Sequence, residues 1–152
     1  MAMAGKSPSV GGSFDVSSKK FAIVASRWNE TIVQKLVNGA VSAFESNGCP
    51  SVEIIWVPGA WEIPVAALKQ TQKSVDGIVC VGCILQGATV HAQQLSNAVS
   101  SGLAQIALSK GIAIGHGVLT CANEEEAFAR AGGELGNKGE ESALAVIEMS
   151  LL

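Results

Sequence analysis

Short apolar runs alternate with longer segments of helical period along this chain, and that alternation limits the fold more than any other feature. Residues 21 to 25, FAIVA, form a run short enough for a buried strand. Ile32, Val33, Leu36, Val37, Ala40, Val41 and Phe44 then recur at the spacing of one helix face, predicting a helix over 31–47 that ends at Gly48, a residue tolerant of positive φ. Residues 52–57 read as a second strand stopped by Pro58 and Gly59. Residues 62–72 read as a helix with Pro64 in its first turn, where the missing N–H costs nothing. The run at 77–85 is apolar on both faces, as central parallel strands are. A long helix is expected over 91–109 and a fourth strand over 112–119, interrupted by Gly115 and Gly117. Asn123 with Glu126 three residues on reads as a capping box for a helix through Ala131, which Gly132 and Gly133 break, and a last helix is expected over 140–151. Strands alternating with helices predict an α/β protein, a three-layer α/β/α sandwich on a four-stranded parallel sheet. The domain spans 21–152, and residues 1–20, rich in Gly, Ser and Lys without periodicity, read as a flexible N-terminal arm.

Composition narrows the possible partners. Apolar residues make up 48% of the chain and charged residues only 15%, so part of the surface is expected to lie against other subunits. A net charge of −3 gives no basic face for nucleic acid. The uncharged run at 77–85 is far shorter than the roughly 20 residues that span a bilayer, and the stretch 91–109 is broken by Gln93, Gln94, Ser96 and Asn97, so no membrane partner is expected. The first residues lack the apolar core of about seven residues that a secretory signal carries, which predicts a cytoplasmic location, with an organellar one left open. Cys80 and Cys83 have the spacing of a redox or metal pair. On a strand, however, they would point to opposite faces, so they read as small buried residues with reduced thiols.

Ligands of open parallel sheets bind at the carboxyl ends of the strands, which directs attention to residues 26–30, 58–62, 86–91 and 120–123. Trp28 taken alone reads as core or as a stacking platform. Glu62, at a helix start, reads as a capping acid favoured by the helix dipole. The third loop is the most suggestive. Gly87 and Ala88 leave backbone N–H groups open, Thr89 adds a hydroxyl, and a helix begins there, which together make an anion site. His91 at that same helix start is a proton carrier near neutral pH. Arg130, one of only two arginines, would complement the end of a short helix. His91 and His116 lie apart with no ligand-spaced Cys or carboxylate, so no metal is expected. There is no GxGxxG fingerprint, Walker loop or nucleophile elbow.

These loops, in this order, resemble the lumazine synthase family. The resemblance runs from Phe21 to Leu151 and rests on VPGAWEIP at 57–64, GATVH at 87–91, GVLT at 117–120, RAG at 130–132 and GNKG at 136–139. Each is weak alone, and together in register they are specific. The resemblance implies a flavodoxin-like strand order 2-1-3-4. It also implies an enzyme that joins 5-amino-6-ribitylaminouracil to 3,4-dihydroxy-2-butanone 4-phosphate, releasing phosphate and water, with no cofactor. By the same resemblance Trp28 stacks on the pyrimidine, and Ala60, Trp61 and Glu62 hold the ribityl chain. Val81, Gly82 and Cys83 offer backbone groups to the heterocycle. Gly87, Ala88 and Thr89 bind the phosphate together with Arg130 of a neighbouring subunit, and His91 shuttles protons. Lys138, also from the neighbour, lies near the pyrimidine edge. The implied assembly is a homopentamer. The short turn at 132–139 resembles members that build sixty-subunit icosahedral shells, with riboflavin synthase as an associated partner. The arm, through residues 10–16, would add a strand to a neighbour's sheet.

The sequence departs from the family's pattern in three places. Gln86 stands where many members have arginine. Ala92, Gln93 and Gln94 replace a more aromatic and acidic segment. His116 takes the place of an aromatic that packs over the ring from the adjacent subunit. The last departure keeps a second reading open, a shell-forming homologue with reduced or lost activity. A flavodoxin-like signalling module is a poorer fit, because no acidic residue follows Ala25 or Leu85.

Overall fold

A computed structural model of the chain describes residues 14–152. Four parallel strands form one sheet in the order β2-β1-β3-β4, where β1 is Phe21–Ser26, β2 Glu53–Val57, β3 Gly77–Leu85 and β4 Ala113–Cys121. Helices α1 (Glu30–Ser46) and α5 (Lys138–Ser150) pack on one face, and α2 (Ile63–Gln70) and α3 (His91–Lys110) on the other. The expected three-layer sandwich and its strand order are therefore present. The alternation of side chains along β3 divides the core. Val79, Val81 and Cys83 join Phe21, Ile23 and Phe44 on the α1/α5 side, while Ile78, Cys80 and Ile84 join Ile63, Val99 and Leu103 on the α2/α3 side. Cys80 and Cys83 thus face opposite layers, and all four cysteines are free thiols. Burial pushes the Cys80 and Cys83 thiols up to about 12.

Boundaries agree with the sequence expectation to within two residues, and β3 agrees at both ends, but two features of physical interest differ. Gly115 and Gly117 do not interrupt β4, which is continuous. A Cβ at Gly115 would come within 2.8 Å of the Ser142 carbonyl oxygen on α5, and one at Gly117 within 2.9 Å of Val81 Cγ1. The glycines let a helix and a neighbouring strand approach β4 closely. The second exception follows α4 (Glu124–Ala129). Residues 131–133 and 136–137, expected as a simple break, pair as a small antiparallel hairpin, β5 (Ala131–Gly133) and β6 (Gly136–Asn137).

Of the segment read as an arm, residues 1–13 lie outside the described residues, so strand addition through residues 10–16 lies mostly outside them too. Residues 14–20 are held on the domain. Val16 is fully buried, and its N–H donates to the Asn47 carbonyl at 2.9 Å. The Phe14 N–H donates to Asn47 Oδ1, also at 2.9 Å. Gly48, at φ 89°, turns the chain out of α1 beside Asp15, as its place after the last apolar helical position predicted.

Candidate functional site

A cleft of about 700 Å³ opens at the carboxyl ends of the strands, a size suited to a small-molecule ligand. Three of the four loops singled out from sequence contribute to it: Trp28 after β1, residues 59–62 after β2, and Gly87, Thr89 and His91 after β3.

Trp28 is 73% exposed, so it belongs to the rim rather than the core. Its loop is fixed from both sides. The Arg27 and Trp28 N–H groups donate to the Val57 and Pro58 carbonyls at 2.8 and 3.2 Å. Asn29, the only non-glycine residue with positive φ among the described residues, donates its side-chain amide to the Cys83 carbonyl at 2.9 Å. Asn tolerates that left-handed conformation better than most residues, so Asn29 ties the Trp28 loop to the end of β3.

After β2, a single 3-10 turn (Ala60–Glu62) leads into α2, with Pro64 in the first turn of the helix. Glu62 Oε2 accepts from the Gly59 N–H at 2.9 Å. The capping role is therefore real, and it leaves the second carboxylate oxygen available to a ligand in the cleft that Glu62 lines. Trp61 is 66% exposed on the same rim, and Ala60 is buried in the cleft wall.

The loop after β3 has the features of an anion cradle. A Cβ at Gly87 would meet nothing within 4 Å, so the backbone there is open to a ligand. Thr89 Oγ1 accepts from the His91 N–H at 3.3 Å, which sets the hydroxyl beside the start of α3. Val90, the N-cap, supplies no side-chain hydrogen bond, so beyond the His91 N–H taken by Thr89 the first turn of this 20-residue helix has no side-chain cap. Unpaired N–H groups and the helix dipole at such an end favour an anion. The exposed His91, the first residue of α3, lines the cleft at that same end. Ala88 is exposed but does not line it.

Several residues expected at the site stand elsewhere in a single chain. Val81 and Gly82 lie below the cleft, buried in β3. Val81 pairs with Ala25 on one side and Gly117 on the other, and a Cβ at Gly82 would meet Ser26 Oγ at 2.8 Å. The strand end that lines the cleft is Cys83, Ile84 and Leu85, so of the three residues expected here only Cys83 reaches it. Burial raises the Cys83 thiol, and the neighbouring Cys121 and Glu124 add to the effect, so it lines the wall as a neutral group.

His116 sits in mid-β4 opposite Cys80, its Nε2 2.8 Å from Ser100 Oγ, on an exposed face away from the cleft. Arg130 caps α4, donating from Nη1 to the Glu126 carbonyl at 3.1 Å, and Lys138 Nζ lies 3.6 Å from Glu141 Oε2. Half of the capping box expected at α4 is present: the Glu126 N–H donates to Asn123 Oδ1, while Glu126 Oε2 accepts not from Asn123 but from the Ala122 N–H one residue before it, both at 2.9 Å. Among the described residues, the chain's own cleft is therefore lined by no lysine or arginine. Among the described residues no group of three His, Cys, Asp or Glu side chains could hold a metal ion, and no helix is long and apolar enough to cross a membrane.

Sequence reasoning missed Asn29, Ile84 and Leu85, along with Gln94, Leu95 and Ala98, which form the α3 wall. The rule that ligands meet the carboxyl ends of strands could have moved the β3 contribution two residues toward Leu85. Nothing in the sequence marks the α3 residues.

Comparison with known proteins gives a consistent picture. A family model described as 6,7-dimethyl-8-ribityllumazine synthase matches residues 18–152. A protein of that name from Nitratidesulfovibrio vulgaris (strain DP4) is 44% identical over 140 residues, covering 90% of each chain. Another from Pediococcus pentosaceus is 43% identical over 141 residues, covering 91% of this chain and 90% of its own.

Proposed function

The chain belongs to the 6,7-dimethyl-8-ribityllumazine synthase family, and from that premise we propose that the cleft at the strand ends is one part of an active site that a neighbouring copy completes. The enzyme condenses 5-amino-6-ribitylaminouracil with 3,4-dihydroxy-2-butanone 4-phosphate, giving 6,7-dimethyl-8-ribityllumazine, phosphate and water, in riboflavin biosynthesis.

The observation that carries the two-copy reading is the charge of the cleft. Its ionisable lining is Glu62, His91 and the thiol Cys83, yet one substrate is a phosphate ester. The open backbone at Gly87, with Ala88, Thr89 and the amino end of α3, supplies N–H groups to that phosphate. A cation has to come from outside the chain's own cleft. Arg130 of a second copy fills that role, forming a charge-assisted pair with the phosphate. Lys138 and His116 of the same copy reach the pyrimidine, His116 as a weaker stacking partner than an aromatic hydrocarbon ring.

On the first copy, Trp28 stacks on the pyrimidine from the rim. The Glu62 oxygen left free by Gly59 accepts from ribityl hydroxyls, with Ala60 and Trp61 as the wall. The strand end from Cys83 to Leu85, rather than Val81 and Gly82, presents backbone groups to the heterocycle.

The chemistry suits so sparse a set. A primary amine and a ketone condense readily once oriented. His91 moves protons among the amine, the departing water and the carbon between the imine and the phosphate-bearing carbon, whose deprotonation lets the phosphate leave with its C–O electron pair. Phosphate leaves as an anion already held by N–H groups and a guanidinium. No electron is gained or lost, so the reaction calls for no redox cofactor. Glu62, His91, Gly87 and Thr89 all line one cleft, and no observation favours a homologue with lost turnover.

The assembly reading is a homopentamer, with a sixty-subunit shell as the larger form, in the cytoplasm and with riboflavin synthase as the associated enzyme. It is supported by α3. Between His91 and Lys110 that helix carries no charged residue, although Gln93, Asn97, Ser101, Ala104 and Leu108 are exposed, Leu108 by 86%. An uncharged exposed helix face suits burial against another copy.

The decisive assay is formation of the fluorescent lumazine from both purified substrates, run beside light scattering of the same sample. Absence of product with both substrates at millimolar concentration would remove the enzyme reading. A monodisperse active monomer would remove the two-copy site, and uniform single pentamers without large spheres would remove the shell.

A further inference from the structure

Arg130 and Lys138 flank the β5–β6 hairpin, and the Lys138 N–H donates to the Arg130 carbonyl at 2.8 Å. The hairpin strands have three and two residues, too few to hold a fixed orientation by their own pairing. Asn137, at the end of β6, supplies the missing anchor. Its side-chain amide donates to the Lys35 carbonyl of α1 at 3.0 Å, across 102 residues of sequence. Its Oδ1 accepts from the Glu140 N–H, also at 3.0 Å, and so caps α5. Both polar ends of the amide are used, so turning it over would break both bonds.

The helix surface beneath is shaped to receive this side chain. A Cβ at Gly39 of α1 would overlap the Asn137 amide group, and one at Gly139 of α5 would overlap the Leu36 carbonyl. The two glycines form a notch where α1 and α5 touch, and Asn137 fills it.

We propose that Asn137 is a positioning residue for the reaction, a clamp that fixes the Arg130–Lys138 hairpin against the α1/α5 layer so that both cations reach the site they complete. The inference rests on the assignment of Arg130 to the phosphate made above. The amide itself touches no substrate. It acts through the Lys138-to-Arg130 backbone bond, and it is legible only because three separate segments, α1, β6 and α5, meet on one side chain.

The test uses the full chain and both natural substrates, with Asn137→Ser, Arg130→Ala and the double variant. Serine remains a good helix cap but cannot reach Lys35, so Tm should stay close to the parent value while the tether is lost. Displacement of a contact group by about 1 Å can cost on the order of 10²-fold. The expected result for Asn137→Ser is therefore a KM for the butanone phosphate raised by roughly 10- to 100-fold. In the Arg130→Ala background the same change should have almost no further effect on that KM, because residues acting through one contact are not additive. A parental KM for both substrates in Asn137→Ser overturns the clamp. So does a loss that adds in full to that of Arg130→Ala, which is the pattern of an independent structural defect. A parental KM in Arg130→Ala itself overturns the phosphate assignment, and with it the inference, and is told apart because that variant alone reveals it.

Discussion

Replacing Arg130 with alanine is the sharpest test of a site divided between copies. Within its own chain the guanidinium makes one hydrogen bond, from Nη1 to the Glu126 carbonyl at 3.1 Å, at the end of the short helix α4. Losing a half-exposed bond of this kind costs about 1 kcal/mol of stability, so Tm should fall by only a few degrees. The functional loss should be larger and selective. A charge-assisted contact to phosphate contributes on the order of 1.5–3 kcal/mol, which corresponds to a KM for the butanone phosphate raised by roughly 10- to 150-fold, with the KM for the pyrimidine nearly unchanged. Among the described residues, the cleft that the chain builds for itself offers no lysine or arginine to compensate.

Mixing supplies the second half of the assay. Arg130→Ala protein and His91→Ala protein, each impaired alone, are unfolded together, refolded and assayed with both substrates. In mixed assemblies some interfaces pair an intact His91 with an intact Arg130, so activity should rise above the mean of the two parents. Equal KM losses for both substrates in Arg130→Ala would show a structural role only. No gain on mixing would show that His91 and Arg130 do not meet across an interface.

His91→Ala should lower turnover by roughly 10²-fold or less, since water can replace part of the general acid–base help. Its circular dichroism should match the parent's because the side chain is exposed, and a parental turnover would remove His91 from the mechanism. Gly139→Ala should cost about 1–3 kcal/mol or more, because the added methyl would strike the Leu36 carbonyl where α1 and α5 touch, and a Tm equal to the parent's would contradict that contact. Stability should also fall in alkali. Burial pushes the folded Cys80 and Cys83 thiols up to about 12 from the ordinary 9.0, so the unfolded chain releases their protons first, and stability intact below pH 9 is lost as pH rises toward 12. Replacing Cys80 with alanine and Cys83 with serine should flatten that decline, which urea titrations at pH 8, 9 and 10 would reveal.

The layers of this fold were readable because each element keeps its own period. The run at 77–85 was placed to the residue, since a strand buried on both faces is an unbroken apolar stretch between a turn and a polar loop. The fourth strand reads from sequence as interrupted because its glycines suggest a break when they permit an approach, and a sequence does not show what lies above a missing Cβ. The β5–β6 hairpin was invisible for a related reason, since strands of three and two residues have no period to detect. At the site, the cleft-lining loops from Gly59 to Glu62 and from Gly87 to His91 are legible from their place at strand ends, although Glu62 by residue type alone reads only as a capping acid. The α3 wall of Gln94, Leu95 and Ala98 was not, because ordinary helix residues become a binding surface only through the packing that turns them toward the cleft.

The residues that were expected at the site but stand away from the chain's cleft form a pattern of their own. His116, Arg130 and Lys138 lie on β4 and the segment that follows it, while the cleft is built from the ends of β1, β2 and β3 and the start of α3. That division follows the sheet. In the order β2-β1-β3-β4, β4 is an edge strand, and His116 is exposed on it, held at Nε2 by Ser100 of α3. An edge strand followed by a short hairpin is well placed to face a neighbour. Under the proposed two-copy reading, the proton carrier follows the inner strand β3 and the ribityl-holding acid follows β2, while the cation that recognises the phosphate follows β4, the opposite edge of the sheet. Phosphate binding would then be complete only in the assembled enzyme, so an isolated chain should bind the pyrimidine with modest affinity and the butanone phosphate hardly at all.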